Sequence, residues 1–341
     1  MQGHIEHRYD SLCAFLPGGN LTVKIFLLFQ MLLALCFSSV VYAQNAPSPK
    51  TLAERLGYKA TDRLLIIHAD DAGMCHSVNV ATTQAMEKGV VTCASIMVPC
   101  PWLPEIAEYC RAHPDADFGL HLTLTSEWER YRWRPVAPID QVPGLLDKEG
   151  YLPHEVPEVV AHAKPAEVEK EIRAQIERAR AFGIKPTHVD SHMGTLFTGP
   201  FIPVYTRVAK ESGLLPMLMK ATPERMVQSK LLGFDSAKLE KDLSKEGYVF
   251  LDMLYEDSKG DDLEARRAFY YNELRNLKPG VTEIIVHLSM NDEEIRHISN
   301  AWLRRWNEYQ IFTDPKTREL IDSLGIKLIG YKDLAKLAYK P

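Results

Sequence analysis

Cysteine is scarce in this chain, six in 341 residues, and no two are spaced as Cys-x-x-Cys. That excludes a cysteine-built structural zinc site. An excess of positive charge is missing too. Forty Lys and Arg stand against 45 Asp and Glu, a net charge of −5, so the clustered base that phosphate binding needs is absent and nucleic acid is excluded as a partner. No Gly-x-Ser-x-Gly elbow and no glycine-rich phosphate loop occurs, which removes the common serine hydrolases and nucleotide binders. Beyond residue 43 no apolar run is long enough to span a membrane.

The one long apolar run is N-terminal. Lys24 precedes Ile25–Leu35, and Val41-Tyr42-Ala43 puts small residues at −3 and −1 before Gln44. This layout predicts a secretory signal over 1–43 and a secreted or periplasmic mature protein without a stable membrane span. Cleavage would remove Arg8, Lys24, Glu6 and Asp10, so the charge stays at −5, and would leave 298 residues, enough for one large core. Residues 44–62 read as a linker and lead-in, and 63–341 as a single domain. Cys75, Cys93, Cys100 and Cys110 read as small buried hydrophobes rather than disulfides.

From residue 63 onward, strand and helix patterns alternate. Short apolar runs suit strands at 64–69, 91–98, 117–124, 186–189, 216–219, 248–251, 283–288 and 327–331. Helices are expected at 78–88, 104–112, 165–182, 202–212, 262–277 and 300–322, the last interrupted near Pro315. Repeated βα units without an internal repeat predict one α/β domain, a (β/α) barrel that is distorted or incomplete. The stretch 126–157 is too long for an ordinary connection and holds Trp128, Tyr131 and Trp133. It is expected to overhang the site as a lid, its aromatics stacking on a ligand or packing within the lid itself.

Acids and histidines end several of these runs. Asp70 and Asp71 follow Leu64–Ala69, His121 follows Phe118–Leu120, His188, Asp190 and His192 follow Pro186-Thr187, and His287 follows Ile284–Val286. The C-terminal ends of parallel strands share one rim, where such folds carry chemistry. Asp71, His121 and His192 make a two-imidazole, one-carboxylate set that leaves positions open, the pattern of a catalytic divalent metal. Zinc suits N and O ligands best; magnesium, nickel and iron are alternatives. Such a metal would polarise a carbonyl and acidify a bound water. Asp70 would then be the general base. Gly73 would supply the backbone freedom that turns both carboxylates inward. His287, across the site, would be the protonated general acid, giving a bell-shaped pH–rate profile. His188 and Asp190 are expected behind the ligands, Asp190 orienting an imidazole. His68 reads as a structural or rim residue. The Asp70–Asp71 adjacency does not fit a haloacid-dehalogenase-type phosphatase, whose two Asp are one residue apart.

Three stretches in this order, Leu64-Leu65-Ile66-Ile67-His68-Ala69-Asp70-Asp71-Ala72-Gly73, Gly119-Leu120-His121-Leu122-Thr123-Leu124-Thr125 and Pro186-Thr187-His188-Val189-Asp190-Ser191-His192, resemble the YdjC/ChbG-like carbohydrate deacetylases, relatives of the NodB-type polysaccharide deacetylases. The resemblance covers about 63–334. It implies a (β/α) barrel, a divalent metal on Asp71, His121 and His192, Asp70 as base, and an Asn at position 79. Val286-His287-Leu288-Ser289, with Asp292 beyond, corresponds to the family's late strand end. Asn79, Asp292, Trp128 and Trp133 join the candidate substrate-binding or supporting residues. Ala72 replaces the usual Phe, Gly194 a usual His and Leu288 a usual Pro, and the Arg common on the strand after the third motif is absent from Leu215–Lys220. These departures alter the pocket wall rather than the metal set. The expected function is metal-dependent removal of acetyl from N-acetylated sugars, with a carbohydrate as partner and a homodimer compatible with the chain. The alternatives are hydrolysis of a non-sugar amide or ester, and an inactive carbohydrate-binding barrel.

Overall fold

The first strand sets the architecture. In the computed structural model, which describes residues 50–339, β1 (Arg63–Ala72) is buried from Leu64 to its end. A strand apolar on both faces must be covered on both sides, which favours a parallel sheet wrapped by helices. A short α1 (Leu52–Arg55) precedes it. Then follow α2 (His76–Lys88), β2 (Cys93–Ile96), α3 (Leu103–Ala112), β3 (Phe118–Leu122), α4 (Val156–His162), α5 (Pro165–Ala181) and β4 (His188–Ser191). The second half holds α6 (Ile202–Glu211), β5 (Leu215–Pro216), α7 (Pro223–Leu231), α8 (Ser236–Lys245), β6 (Met253–Tyr255), α9 (Leu263–Asn276) and β7 (Gly280–His287). It closes with α10 (Glu293–Ile298), α11 (Trp302–Thr313), α12 (Pro315–Ser323), β8 (Lys327–Leu328) and α13 (Tyr331–Ala335). The expected signal lies outside the described residues.

All strand pairs are parallel, in the order β5-β4-β3-β2-β1-β7-β6, with β8 beside the start of β1. The sheet is curled, and its two edges touch through one bridge, Met219 to Leu251, just beyond β5 and just before β6. The strand expected at 248–251 is therefore displaced to 253–255, with Leu251 contributing only that bridge. Because every strand runs the same way, the acids and histidines at their ends share one rim.

The long stretch after β3 is a fastened strap. Trp133, Val142, Leu145 and Leu152 join the main core. The buried carboxylate of Glu171 on α5 accepts from the backbone N–H groups of Val136 (2.9 Å) and Ala137 (2.8 Å). Gln175, one turn on, mimics a neighbouring strand: it accepts from Thr123 N at 3.0 Å and donates to Thr123 O at 2.7 Å. Each bond satisfies a backbone group that burial would otherwise strand.

Candidate metal centre

Two neighbouring residues of a regular strand point to opposite faces, yet Asp70 and Asp71 both reach the rim. The pairing of β1 with β2 shifts between Ala69 and Ala72, and Asp71 itself adopts φ 68°. The turn expected of Gly73 thus begins one step earlier, on the Asp, a residue type that tolerates the left-handed region better than most. Gly73 continues it at φ 87°. Asn79 braces this turn: its Oδ1 accepts from Gly73 N at 2.6 Å and its Nδ2 donates to Glu105 at 2.8 Å. Both polar atoms of Asn79 are engaged by the protein in this way, so it shapes the loop.

Asp71, His121 and His192 converge. Asp71 Oδ1 lies 3.5 Å from His121 Nε2 and 3.5 Å from His192 Nδ1. This oxygen is buried and has no hydrogen-bond partner among the described residues. Two ring nitrogens and an orphaned carboxylate oxygen at this spacing fit a divalent cation. Ligands about 2.0–2.1 Å from a tetrahedral zinc stand roughly 3.3–3.4 Å apart. The two imidazoles would use different nitrogens. His121 Nδ1 is held by Asp190 Oδ1 at 2.7 Å, a neighbour fixed by the β3–β4 register, leaving Nε2 for the cation. His192 Nε2 is held by Glu127 at 3.0 Å, leaving Nδ1. Carboxylate–imidazole pairs of this kind fix ring orientation and raise ligand basicity.

The second oxygen of Asp71 accepts from Arg305 Nη2 at 2.6 Å. Burial works against ionising Asp71, but the Arg305 guanidinium and His192 hold its carboxyl well below the usual range. Burial also works against protonating the two imidazoles. Glu127 and Asp71 nevertheless raise His192 to about 10, and Asp190 and Asp70 raise His121. Protons on these rings balance charge that a bound cation would balance instead, so metal uptake would release them.

Asp70 stands beside the set without joining it. Its Oδ2 is 3.8 Å from His121 Nε2 and 4.0 Å from His287 Nε2, and its Oδ1 accepts from Ser95 Oγ at 3.3 Å. Burial raises its pKa to about 7 despite His121 and His68. His287 is the register neighbour of Asp70 on β7, so it sits next to Asp70 and not across the site as expected. Burial, with the cations Arg305 and Arg304, holds it down to about 3 against the pull of Asp71. Burial and the two guanidiniums thus disfavour the resting imidazolium on which the expected alkaline limb depends.

Other expected residues serve different ends. Asp292 caps α10, accepting from Ile295 N at 3.2 Å, and accepts from Ser77 Oγ at 2.6 Å. Trp133 is 3% exposed, donates from Nε1 to Thr125 O at 2.9 Å, and packs edge-on behind His192 at 6.4 Å. It offers no free face for stacking. Trp128 is half-buried against Trp133. His188 touches none of the three ligands. It lies deeper, stacked on Tyr331 at 3.9 Å and edge-on to His68 at 5.1 Å. A Cβ at position 119 would fall 2.4 Å from the His188 ring, which explains Gly119. Cys75, Cys93 and Cys100 are buried, Cys110 is half-buried, and all four are free.

Sequence reasoning missed Glu127, Arg305, Glu308 and the place of His68. Glu127 carried a faint signal, an acid just past the His121 strand. Arg305 and Glu308 lie in phase with buried Phe312 on α11, charges on an apolar face. Glu308 accepts from His287 N at 2.7 Å, so one helix steadies both Asp71 and His287. Beside β5 and β6, a cavity of about 350 Å³ is lined by Phe197, Met217, Met219, Leu254, Tyr255 and Arg225 among others, and by none of the candidate site residues.

Comparison with known proteins bears on this geometry. The model of the family described as YdjC-like protein matches residues 64–323. A carbohydrate deacetylase of Thermus thermophilus is 32% identical over 270 residues, 79% of this chain and 93% of that protein. One of Geobacillus stearothermophilus is 28% identical over 277 residues, 81% of this chain and 99% of that protein. The crystal structure of an Enterococcus faecalis protein superposes with a TM-score of 0.66 at 27% identity, covering 80% of this chain and 99% of that one.

Proposed function

The chain belongs to the YdjC-like family, and from that premise we propose that it is a metal-dependent hydrolase removing acetyl groups from N-acetylated sugars or oligosaccharides. The observation that carries this reading is the orphaned Asp71 oxygen between His121 and His192, with a separate carboxylate, Asp70, alongside. The activity named for the two bacterial relatives supports it.

A divalent cation on Asp71, His121 and His192, zinc by donor chemistry, would polarise the amide carbonyl and acidify water. The protein's own groups do the rest. Asp70, steadied by Ser95 Oγ, takes the proton of the attacking water. His287, 4.0 Å from Asp70, stands where a proton gained at Asp70 could be handed to the departing amine. Arg305 holds Asp71 in a single orientation, and Asp190 and Glu127 do the same for the imidazoles.

The test is acetate release from N-acetylglucosamine and its linear oligomers, lost on chelation and restored by zinc. No release from any of them by zinc-loaded protein would overturn the substrate assignment. Export after cleavage at Ala43 belongs to the same proposal. The mature protein should begin at Gln44, and N-terminal sequencing that found Met1 on intracellular soluble protein would refute it.

A further inference from the structure

Beneath the rim lies a second polar layer with no place in the mechanism so far. His68, two residues before Asp70 on β1, is completely buried inside the curled sheet. Its Nδ1 donates to Glu283 Oε1 at 2.5 Å, and the other Glu283 oxygen accepts from Tyr331 Oη at 2.7 Å. Its Nε2 faces two carboxylates at once, Asp70 Oδ1 at 3.4 Å and Asp190 Oδ2 at 3.3 Å. Nε2 and Asp190 Oδ2 are both buried and neither makes a hydrogen bond among the described residues, so these two approaches are charge contacts without hydrogen-bond alignment. His188 and Tyr331 pack edge-on against the ring at 5.1 and 5.8 Å.

These two carboxylates are the ones the proposed chemistry depends on. Asp70 is the base, and Asp190 uses its remaining oxygen to orient His121. We propose that His68 is a positioning residue: held by Glu283, its otherwise unpartnered Nε2 lies between Asp70 and Asp190 and, as a shared positive edge, fixes the base and the His121 orienter relative to each other. The Asp70 half rests on the deacetylase reading above; the Asp190–His121 half rests only on the metal set. Burial works against a second proton on the ring, but Asp70, Glu283 and Asp190 together raise its pKa to about 10, which favours a charged ring facing these carboxylates. A wholly structural buried histidine would need one acceptor or two. This one meets three carboxylates on three strands, β1, β4 and β7.

The test compares His68→Gln, which keeps one donor, with the paired variant His68→Leu/Glu283→Leu, which leaves no buried Glu283 charge behind. Folding is checked by circular dichroism and thermal melting. Zinc affinity is measured by competition with a chelating dye, and kcat and KM by acetate release at saturating zinc. The paired variant should fold, bind zinc about tenfold more weakly, as loss of support behind a ligand usually causes, and lose about tenfold or more in kcat with KM little changed. His68→Gln should recover part of both. In an Asp70→Asn background the His68 change should lower kcat little further, because residues acting through one another are not additive. A folded paired variant with wild-type kcat and zinc affinity would overturn the assignment. So would fully additive losses, or two zinc ions per wild-type chain, which would make His68, Asp70 and Asp190 a ligand set of their own. If wild-type protein releases no acetate, the deacetylase reading fails. Zinc affinity of the folded variants then still decides the Asp190–His121 half.

Discussion

Replacing Asp190 by Asn and Glu127 by Gln, separately, should weaken metal binding to unequal degrees. Each side chain holds the outer nitrogen of one ligand imidazole, Asp190 at 2.7 Å and Glu127 at 3.0 Å. Both replacements keep the shape and an acceptor oxygen and remove the charge. Loss of such support typically costs 10–100-fold in metal affinity, or about 1.4–2.8 kcal/mol. The surroundings decide where each falls. The Asp190 side chain is 2% exposed and that of Glu127 is 20% exposed. Unit charges about 4 Å apart interact by roughly 4 kcal/mol at an effective dielectric of 20 and about 1 kcal/mol in water. Asp190 sits near the first regime and Glu127 between the two. Asp190→Asn should therefore approach a 100-fold loss, and Glu127→Gln should stay near or below tenfold. The assay is competition for zinc against a chromogenic chelator near neutral pH, with melting curves to confirm folding. The reverse order, or wild-type affinity in folded Asp190→Asn, would show that these carboxylates do not set the basicity of the ligands.

Three further outcomes are expected. Asp70→Asn should keep its metal and lose roughly 10²–10⁴-fold in turnover; loss of metal instead would make Asp70 a ligand. In wild-type protein the rate should rise with pH through a single acidic limb, because Asp70 must shed its proton to act. Its pKa of about 7 without metal should move lower beside a cation, and the limb should vanish in Asp70→Asn. Glu169→Gln should cost about 1 kcal/mol at neutral pH after allowance for solvent screening. Hydrogen bonds from Arg207 and Arg173 lower the Glu169 pKa to about 2 from an ordinary 4.5, so the difference from wild type should be full above about 4.5 and shrink as pH falls towards 2, as urea melts at several pH values would show.

The sequence carried the rim and hid its supports, for a physical reason. Strand ends are local features: an apolar run followed by Asp or His marks Asp70, Asp71, His121, Asp190, His192 and His287 without knowledge of the neighbours. What holds them is not local. Arg305 meets Asp71 across 234 positions, and His68 meets Glu283 across 215. No period or motif links such pairs before the chain is folded. Register was equally out of reach, and it is register that sets His287 beside Asp70 instead of across from it. The helices α7 and α8 went unread because they bury almost nothing. Ser229 is the only buried residue of α7 while Val227 and Leu231 face solvent, and α8 offers only Leu239 and Leu243, both half-buried, too short a stripe to mark a core-facing helix.

The left-handed backbone at Asp71 has a consequence for the fold as a whole. A residue with a side chain in that region costs roughly 1 kcal/mol or more relative to glycine, and Asp71 also obliges the fold to bury Arg305 opposite it. The centre is thus a local excess of free energy, concentrated on one residue whose carboxylate the chemistry requires. Stability and activity are set against each other at this position. Asp71→Gly together with Arg305→Met would relieve both the backbone and the buried charge, and would abolish the site. Selection of this protein for thermal resistance alone would favour such changes around Asp71, so that the most heat-stable descendants would be the inactive ones.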